Sequence, residues 1–275
     1  SGQITIPQSL GSIKGANLFH SFSQFSVNTG ESAVFTTTSN LQNVIARVSG
    51  TSITNVNGNL QLQAAAGSRP NFYLINPNGI VIGDGAVIDV PAGLHLSTAN
   101  TIHFADGKYA ADLKASSSLS AANPESFGFL GGARAAISLH GNATIVPVDN
   151  RAMSLVAGDV SIDKVRLNSR GGDMVVFAVG NAAVQVDTKV SANLPNLDGN
   201  INIAHGGQLN ASASFTSTSG TGATAATGAK GGAVSVSGGN ISLGDPEAFG
   251  SQGIFSDANV GSGNAGVVRV HASGT

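Results

Sequence analysis

The chain of 275 residues carries few charges and no cysteine, and both features restrict what it can be. Charged residues make up 10% of it and hydrophobic residues 41%, with 37 glycines and a formal net charge of −2. The hydrophobic content excludes a disordered chain, and the net charge gives no electrostatic basis for binding nucleic acid or an anionic membrane. The lack of cysteine excludes a disulfide framework and Cys-ligated metal sites.

Short segments in which apolar and polar residues alternate recur along the chain and predict β-strands. They lie at residues 3–6, 60–62, 160–162, 201–203, 234–236 and 268–270. Several strands follow a Gly-Asx pair, at Gly58-Asn59, Gly141-Asn142, Gly158-Asp159, Gly199-Asn200 and Gly239-Asn240. At such a corner the glycine permits a positive φ, and the Asn or Asp side chain forms hydrogen bonds with backbone groups of the turn.

Glycine corners, short strands and few charges favour an all-β fold, a right-handed parallel β-helix. Each coil of such a solenoid buries its inward residues only by stacking on its neighbours. An N-terminal cap and extra-helical β-hairpins or loops are expected on it. A β-sandwich is the competing fold, but it favours two-residue hairpin turns, and Asn-Gly pairs are few (Asn57-Gly58 and Asn78-Gly79).

The chain is interpreted as one β-helix domain, residues 1–275. Residues 1–140 form the core with the cap, and residues 141–275 add coils. Residues 211–232 are nearly all Ala, Ser, Thr and Gly, which favours a flexible loop outside the helix over a strand pair with small side chains. The chain stops directly after a strand without a polar cap, which indicates a fragment of a longer protein. No apolar run is long enough for a membrane span.

Asn76-Pro77-Asn78-Gly79 lies between two short apolar runs, residues 72–75 and 80–82. Asn at the first position, Pro at the second and Gly at the fourth are typical of a type I turn. The stretch therefore predicts strand, tight turn, strand. Turn chemistry alone accounts for each of its residues, so a structural corner and a recognition element both remain open.

Three phenylalanines near the start of the chain, Phe19, Phe22 and Phe25, are expected to cover the open end of the β-helix. A solenoid end must shield its apolar core from water. The alternative is an exposed aromatic docking patch.

Signals for catalysis or metal binding are weak. The six histidines share no metal-ligand spacing, and no nucleophile motif accompanies them. Stacked coils could bring together Asp84 and Asp89, or Asp159, Asp163 and Asp173, but we expect these carboxylates to bond to turn amides or to water. No catalytic residue, metal or cofactor is predicted.

Four motifs occur in a fixed order: residues 18–27, 40–50, 74–80 and 96–100 (LFHSFSQFSV, NLQNVIARVSG, LINPNGI and LSTAN). Together they resemble the amino-terminal secretion domain of two-partner secretion exoproteins, the filamentous-haemagglutinin type. The resemblance by motif runs to about residue 130 and continues more loosely to the end. The Asn-Pro-Asn-Leu motif that some members carry is missing here.

The resemblance implies a role in export from a Gram-negative bacterium. Such a domain crosses the periplasm in an extended state, binds the periplasmic POTRA domains of an outer-membrane β-barrel transporter, and folds outside the cell as a right-handed β-helix. The protein would be secreted or held at the cell surface. Transporter recognition is assigned to the motif residues Asn40, Asn43, Arg47, Asn76, Pro77, Asn78, Gly79 and Ile80.

Three functions compete on this scaffold. The first is a targeting and fold-nucleating module without enzymatic activity, whose parent is an adhesin or haemagglutinin. The second is a polysaccharide lyase-like enzyme, which needs several converging carboxylates for Ca²⁺ and a base, and 15 acidic residues spread along the chain are few for that. The third is an adhesin whose rod itself binds a host-cell receptor or glycan.

Overall fold

The structure is a computed structural model that describes residues 2–213, 215–216, 224–225, 230–244, 252–257 and 264–274. Almost every element in this part of the chain is a β-strand, and its one helical piece is the 3-10 turn Gln8–Leu10. None of its helices has the length and hydropathy needed to cross a membrane.

The strands are, in chain order, β1 (Gln3–Pro7), β2 (Ser12–Lys14), β3 (Asn17–Phe22), β4 (Ser32–Thr36), β5 (Asn43–Val48), β6 (Thr54–Val56), β7 (Asn59–Gln63), β8 (Asn71–Ile75), β9 (Ile80–Ile82), β10 (Val87–Asp89), β11 (Leu94–Ser97), β12 (Thr101–Phe104), β13 (Gly107–Ala110), β14 (Ser126–Leu130), β15 (Ala136–His140), β16 (Thr144–Ile145), β17 (Met153–Ala157), β18 (Asp159–Asp163), β19 (Arg166–Asn168), β20 (Met174–Ala178), β21 (Ala183–Asp187), β22 (Asn200–Ala204), β23 (Gln208–Asn210), β24 (Phe215–Thr216), β25 (Thr224–Ala225), β26 (Val234–Gly238), β27 (Asn240–Leu243), β28 (Gly253–Phe255) and β29 (Val268–Ala272). The six segments predicted from alternation all fall on these strands.

The strands form three long faces. One is a nine-stranded sheet, β2-β3-β5-β8-β11-β17-β20-β26-β29; another is a six-stranded sheet, β27-β22-β18-β15-β9-β6; the third is a five-stranded sheet, β1-β4-β7-β10-β16. The three-stranded sheet β19-β23-β28 continues the third face, because β19 lies against β16. A coil visits the faces in turn, as in β5, β6, β7 and then β8, β9, β10. Neighbouring coils pair in parallel, which confirms the parallel β-helix.

The core consists of side chains stacked in rows through successive coils. One row on the nine-stranded face joins Leu18, Val44, Phe72, Leu94, Met153, Met174 and Val234, and all seven side chains are buried. Because each inward residue covers the one before it, a coil completes its burial only when the next coil is in place.

A second core lies on the outer surface of the nine-stranded sheet. There an antiparallel sheet, β13-β12-β14-β21, packs its aromatic residues against outward side chains of β3, β5, β8, β17 and β20. Phe104, Tyr109 and Phe127 come from this sheet, and Phe19 and Ile45 belong to the β-helix beneath it. The expected extra-helical hairpins are therefore present, and they explain why β17 and β20 are buried on both faces.

Four of the five Gly-Asx corners are confirmed as strand starts, whereas β16 begins two residues after Asn142, and the positive φ expected of the glycines was wrong in four of five cases. β7, β18, β22 and β27 each begin at the Asx residue. Of the five glycines, Gly141 alone has a positive φ, +72°. A Cβ on Gly199 would lie 2.1 Å from the Gly158 carbonyl oxygen of the preceding coil. Close approach of stacked backbones, rather than φ, excludes a side chain there.

The N-terminal end of the helix is closed by aromatic rings, although not by all three predicted phenylalanines. Phe25 is buried in the core, and its ring centroid lies 5.1 Å from that of Phe22 and 5.9 Å from that of Phe35. Phe19 instead faces outward, 4.9 Å from Tyr109 of the antiparallel sheet. Successive residues of a strand point to opposite faces, and this sends Phe19 to the second core.

Much of the Ala/Ser/Thr/Gly stretch at 211–232 lies outside the described residues, so its assignment as a flexible loop stays a prediction. Within the described part, Ala211 and Ala213 are buried beside the core. β24 and β25 pair with each other in antiparallel orientation.

Replacing Gly172 by alanine should destabilise the domain by about 1–3 kcal/mol through overpacking. A Cβ there would lie 2.0 Å from the Arg151 carbonyl oxygen, and that atom belongs to backbone that is fixed by its neighbours. Gly2→Ala is the matched control, because no atom lies within 4 Å of its Cβ position. Urea unfolding of both variants measures the difference; equal stabilities would contradict the close-packing argument.

Candidate functional site

The Asn76-Pro77-Asn78-Gly79 segment forms the corner between β8 and β9. The Gly79 amide donates to the Asn76 carbonyl at 3.1 Å, which closes the predicted four-residue turn. The Asn76 side-chain oxygen accepts bonds from the Asn78 amide (3.0 Å) and from Asn78 Nδ2 (2.9 Å). Asn76 thus organises the turn that it begins, as the sequence predicts. Pro77 and Asn78 are half-buried, and Ile80 enters the core.

The corner is also attached to the corner of the preceding coil. Asn76 Nδ2 donates to the Ser52 carbonyl at 3.0 Å and to Thr54 Oγ1 at 2.9 Å. Asn78 Nδ2 donates to the Gly50 carbonyl at 2.8 Å. Because Asn76 is 0% exposed, these bonds satisfy polar groups that have no access to water.

Asn43 belongs to a ladder of asparagines at the amino-terminal ends of three stacked strands. Its Nδ2 donates to Asn17 Oδ1 at 2.8 Å and to Asn123 Oδ1 at 3.0 Å, and its Oδ1 accepts from Asn71 Nδ2 at 3.0 Å. The ladder ends where the Gly93 amide donates to Asn71 Oδ1 at 2.9 Å. Asn43 and Asn71 each use their donor and their acceptor to bond to the two neighbouring coils, whereas Asn17 Nδ2 donates to the Ser120 and Ala122 carbonyls outside the coils.

Arg47 connects the β-helix to the antiparallel sheet. Its Nε donates to Ser21 Oγ at 2.9 Å, and its guanidinium also donates to the Ala110 carbonyl. The guanidinium carbon lies 4.2 Å from the centre of the Tyr109 ring, which adds a cation–π contact. Tyr109 in turn donates its hydroxyl to the His20 carbonyl at 3.0 Å.

The structure divides the predicted site residues between the two ends of the nine-stranded face. Arg47 pairs in register with Ile75, so it lies next to the corner at Asn76. Asn43 pairs with Asn71, which precedes Asn76 by five residues. At about 3.3 Å per residue, Asn43 therefore lies roughly 16 Å from the corner at Asn76. Asn40 is exposed and lines a groove beside the asparagine ladder. The eight residues therefore do not form one site.

Several residues that complete these contacts were missed by the sequence analysis. Thr54 and Ser21 lie on adjacent coils, and their pairing depends on coil register, which local sequence does not reveal. Asn17 and Asn71 did leave a signal, because the triplets Asn-Leu-Phe, Asn-Val-Ile and Asn-Phe-Tyr begin β3, β5 and β8. An asparagine repeated ahead of apolar pairs indicates a ladder across coils.

The candidate carboxylates mostly bind turn amides. Asp84 accepts from the Asn142 amide at 2.7 Å and Asp173 from the Ala233 amide at 2.8 Å. Asp159 pairs with Arg134 at 2.8 Å, and Asp163 lies 2.6 Å from His205 Nδ1. No group of three or more His, Cys, Asp or Glu side chains in the described part of the chain is placed to hold a metal ion.

Burial lowers the pKa values of two histidines well below the usual value. Burial lowers the pKa of His20 to about 4 and that of His95 to about 3. His20 lies 5.3 Å from the Phe35 ring in the N-terminal cluster, and His95 stacks on Tyr73 at 4.2 Å. Both imidazoles are therefore neutral in the folded domain at neutral pH.

Parallel coils with an N-terminal aromatic closure, an Asn-Pro-Asn-Gly corner and an antiparallel sheet define the class of this protein as a capped parallel β-helix. The family model described as the TPS secretion domain, for two-partner secretion, matches residues 1–192. The chain belongs to this family. Membership implies secretion by a Gram-negative bacterium and a transporter partner.

Among solved structures, the chain is similar to the crystal structure of the HMW1 secretion domain from Haemophilus influenzae. The two are 18% identical with a TM-score of 0.48, and the alignment covers 95% of this chain and 70% of that chain. No curated protein sequence matches the chain.

Asn76→Ala should lower the free energy of unfolding by about 1–3 kcal/mol, because the Ser52 carbonyl and the Thr54 hydroxyl would lose a donor inside the protein. Asn78→Ala should cost about 1 kcal/mol, since the half-buried side chain leaves its partners closer to water. Urea unfolding of the two variants measures this order. A larger loss for Asn78→Ala would show that the Asn76 bonds are not the main support of the corner.

Stability should fall on acidification from about pH 6.5 towards pH 4. The folded-state pKa values of His20 and His95 lie below the usual value near 6.5. In this pH range the unfolded chain therefore binds more protons than the folded domain, which favours unfolding. Each histidine contributes a loss of at most about 1.4 kcal/mol per pH unit.

Unfolding free energies at pH 7 and pH 5 test this for the wild type and His95→Gln. The variant should show a smaller difference between the two pH values. A variant that changes no titrating group, Gly2→Ala, supplies the control and should keep the wild-type difference. An unchanged pH dependence in His95→Gln would contradict the argument.

Proposed function

We propose that the domain is the export signal and folding nucleus of a longer exoprotein. In the periplasm the extended chain is recognised by the POTRA domains of an outer-membrane β-barrel transporter, and the β-helix forms after transit, at the cell surface. Recognition falls on two segments: the Asn40, Asn43 and Arg47 segment, and the corner from Asn76 to Ile80.

The burial of the motif side chains carries this proposal. Asn43, Asn76 and Ile80 are at most 1% exposed in the folded domain, and the polar atoms of Asn43 and Asn76 are bonded to neighbouring coils. A partner that reads these side chains must therefore do so before the chain folds. Folding then withdraws them from the partner.

Burial of side chains on folding also favours transit of the chain towards the cell surface. The coils bury apolar rows only when stacked, so the free energy of burial is gained where the chain has room to fold. A chain without cysteine cannot be locked by a disulfide in the oxidising periplasm before it reaches the transporter. Few charges also leave the extended chain with little self-repulsion.

The parent protein is proposed to be an adhesin or haemagglutinin that contacts a host-cell receptor or glycan. The filamentous-haemagglutinin pattern of the four motifs supports this. The lyase-like alternative is less favoured, because the carboxylates of Asp84, Asp159 and Asp173 already bond to turn amides or to Arg134. We propose that the domain has no catalytic activity of its own.

Secretion of paired variants tests the role of the corner. Asn78→Ala removes one half-buried turn side chain of the motif, and Ser169→Ala removes a turn bond to the Gly172 carbonyl outside the motifs. In cells with the cognate transporter, we expect Asn78→Ala to lower the exported fraction several-fold and Ser169→Ala to leave it near wild type. Equal export of the two variants, at matched unfolding free energies, would contradict a special role for the corner.

A binding experiment separates recognition of the extended chain from recognition of the folded domain. The purified domain is presented to the periplasmic domains of the transporter either folded or freshly diluted from urea. The proposal expects capture of the diluted, unfolded chain and loss of capture as it refolds. Equal capture of the folded domain would contradict it.

A further inference from the structure

A polar groove of about 450 Å³ opens beside the asparagine ladder. It lies at the amino-terminal ends of β5, β8, β17 and β20, and residues 123–124 and 188–190 form its opposite wall. The volume is within the range of about 300–1,000 Å³ that is usual for small-ligand sites. None of the residues that form hydrogen bonds at the Asn76 corner lines this groove.

Tyr73 and His95 line the groove from successive coils. They pair in register, and their rings stack 4.2 Å apart with an interplanar angle of 13°. Tyr73 is 5% exposed and His95 is 4% exposed. Tyr73 Oη and His95 Nε2 form no hydrogen bond with any residue that the structure describes, and neither is among the fully buried unpaired polar atoms, so both remain within reach of solvent.

Gly93 keeps the space next to the imidazole open. A Cβ at Gly93 would lie 2.9 Å from His95 Nε2 and 2.6 Å from Asn71 Oδ1. Nε2 therefore points towards the amino-terminal end of β11, which is the side on which the groove lies. The missing side chain leaves Nε2 accessible from the groove.

The neighbouring hydroxyl fixes which nitrogen of His95 carries the proton. His95 Nδ1 lies 2.7 Å from Ser154 Oγ, and Ser154 is 0% exposed. Within the described residues this hydroxyl has no other side-chain hydrogen bond, so it must donate to Nδ1 to avoid a buried unpaired O–H group. Nε2 then carries the proton, and the groove receives two donors, Nε2–H and the Tyr73 hydroxyl.

The rim combines amides with two cations. Asn40, Gln42 and Asn123 are exposed amides, each able to donate and to accept. Arg69 and Lys189 are exposed at the rim, and Arg69 Nε donates to a backbone carbonyl while its terminal N–H groups remain available. The rim carboxylate, Asp173, already accepts from a backbone amide.

We infer that this groove binds a uronic acid, a hydroxylated sugar ring that carries a carboxylate. Tyr73 and His95 donate to ring oxygens, the rim amides pair with hydroxyls, and Arg69 and Lys189 hold the carboxylate through charge-assisted bonds. A bare carboxylate would leave the floor donors and amides unused, and a neutral sugar would leave the cations unused. Binding belongs to the folded domain and is independent of the proposed export role.

Calorimetric titration of the purified folded domain with glucuronate and galacturonate, as monosaccharides and disaccharides, tests the inference. Glucose, galactose and acetate serve as comparison ligands. We expect saturable binding of at least one uronate and binding about tenfold weaker, or none, for the comparison ligands. Absence of saturable uronate binding overturns the proposal, and equal binding of acetate or of the neutral sugars overturns the assignment of the ligand.

Variants locate the binding in the groove. Tyr73→Phe removes only the hydroxyl and keeps the stacked ring, and Lys189→Gln removes a surface charge; each should weaken uronate binding about tenfold. Lys114→Gln, an exposed lysine outside the groove, is the matched control and should bind as the wild type does. Unchanged binding in both groove variants overturns the assignment of the site.

Nitrogen NMR of the His95 imidazole gives a readout that does not depend on affinity. The free domain should show the proton on Nε2, and uronate should shift the Nε2 resonance without moving that of the exposed His140. A proton on Nδ1 in the free domain would overturn the assignment of His95 as a donor.

Discussion

The parallel stacking of coils in register is the constraint on which this structure depends. It places each residue next to its equivalents on the coils before and after, so one apolar position becomes a continuous buried row. It also places polar residues in rows, where an unpaired amide would be costly. Asn17, Asn43 and Asn71 solve this by pairing with one another. The register of the coils therefore determines both which apolar side chains form the core and which polar side chains can pair.

Local features of this fold were predictable from the sequence, whereas features created by stacking were not. Strands and the turn at Asn76 could be recognised, because alternation and turn chemistry act over a few residues. The role of Gly199 could not, since the atom that excludes its Cβ is the Gly158 carbonyl of the preceding coil. The outward position of Phe19 likewise depends on a sheet that is contributed by residues 101–130 and 183–187.

The candidate site shows the same division. Asn76 and Asn78 were identifiable from their turn, but their bonds to Ser52 and Gly50 bridge 24 and 28 residues. Arg47 was identifiable only by family pattern, and its partner Ala110 is 63 residues away. The groove over Tyr73 and His95 could not be recognised from the sequence, although Asn40 and Asn43 line it, because its other walls come from distant segments. Sequence motifs therefore marked residues that bond between coils, but they did not reveal the cavity.

The sequence separations of these contacts also order them in assembly. Apart from the bond between Asn43 and Asn123, which spans 80 residues, the inter-residue bonds of the asparagine ladder and of the Asn76 corner to the preceding coil span 22 to 28 residues. Contacts that fasten the antiparallel sheet are longer: Tyr109 to His20 spans 89 residues, and Asn17 to Ser120 spans 103. Closing a longer loop costs more entropy, and non-local contacts form more slowly. A chain that emerges with its amino terminus first can therefore form the ladder and the corner once its first coils are present. The antiparallel sheet can form only later, because its strands begin after residue 100. Asn43, Asn76 and Asn78 thus make inter-coil contacts over short sequence separations, which is compatible with the folding nucleus that we propose.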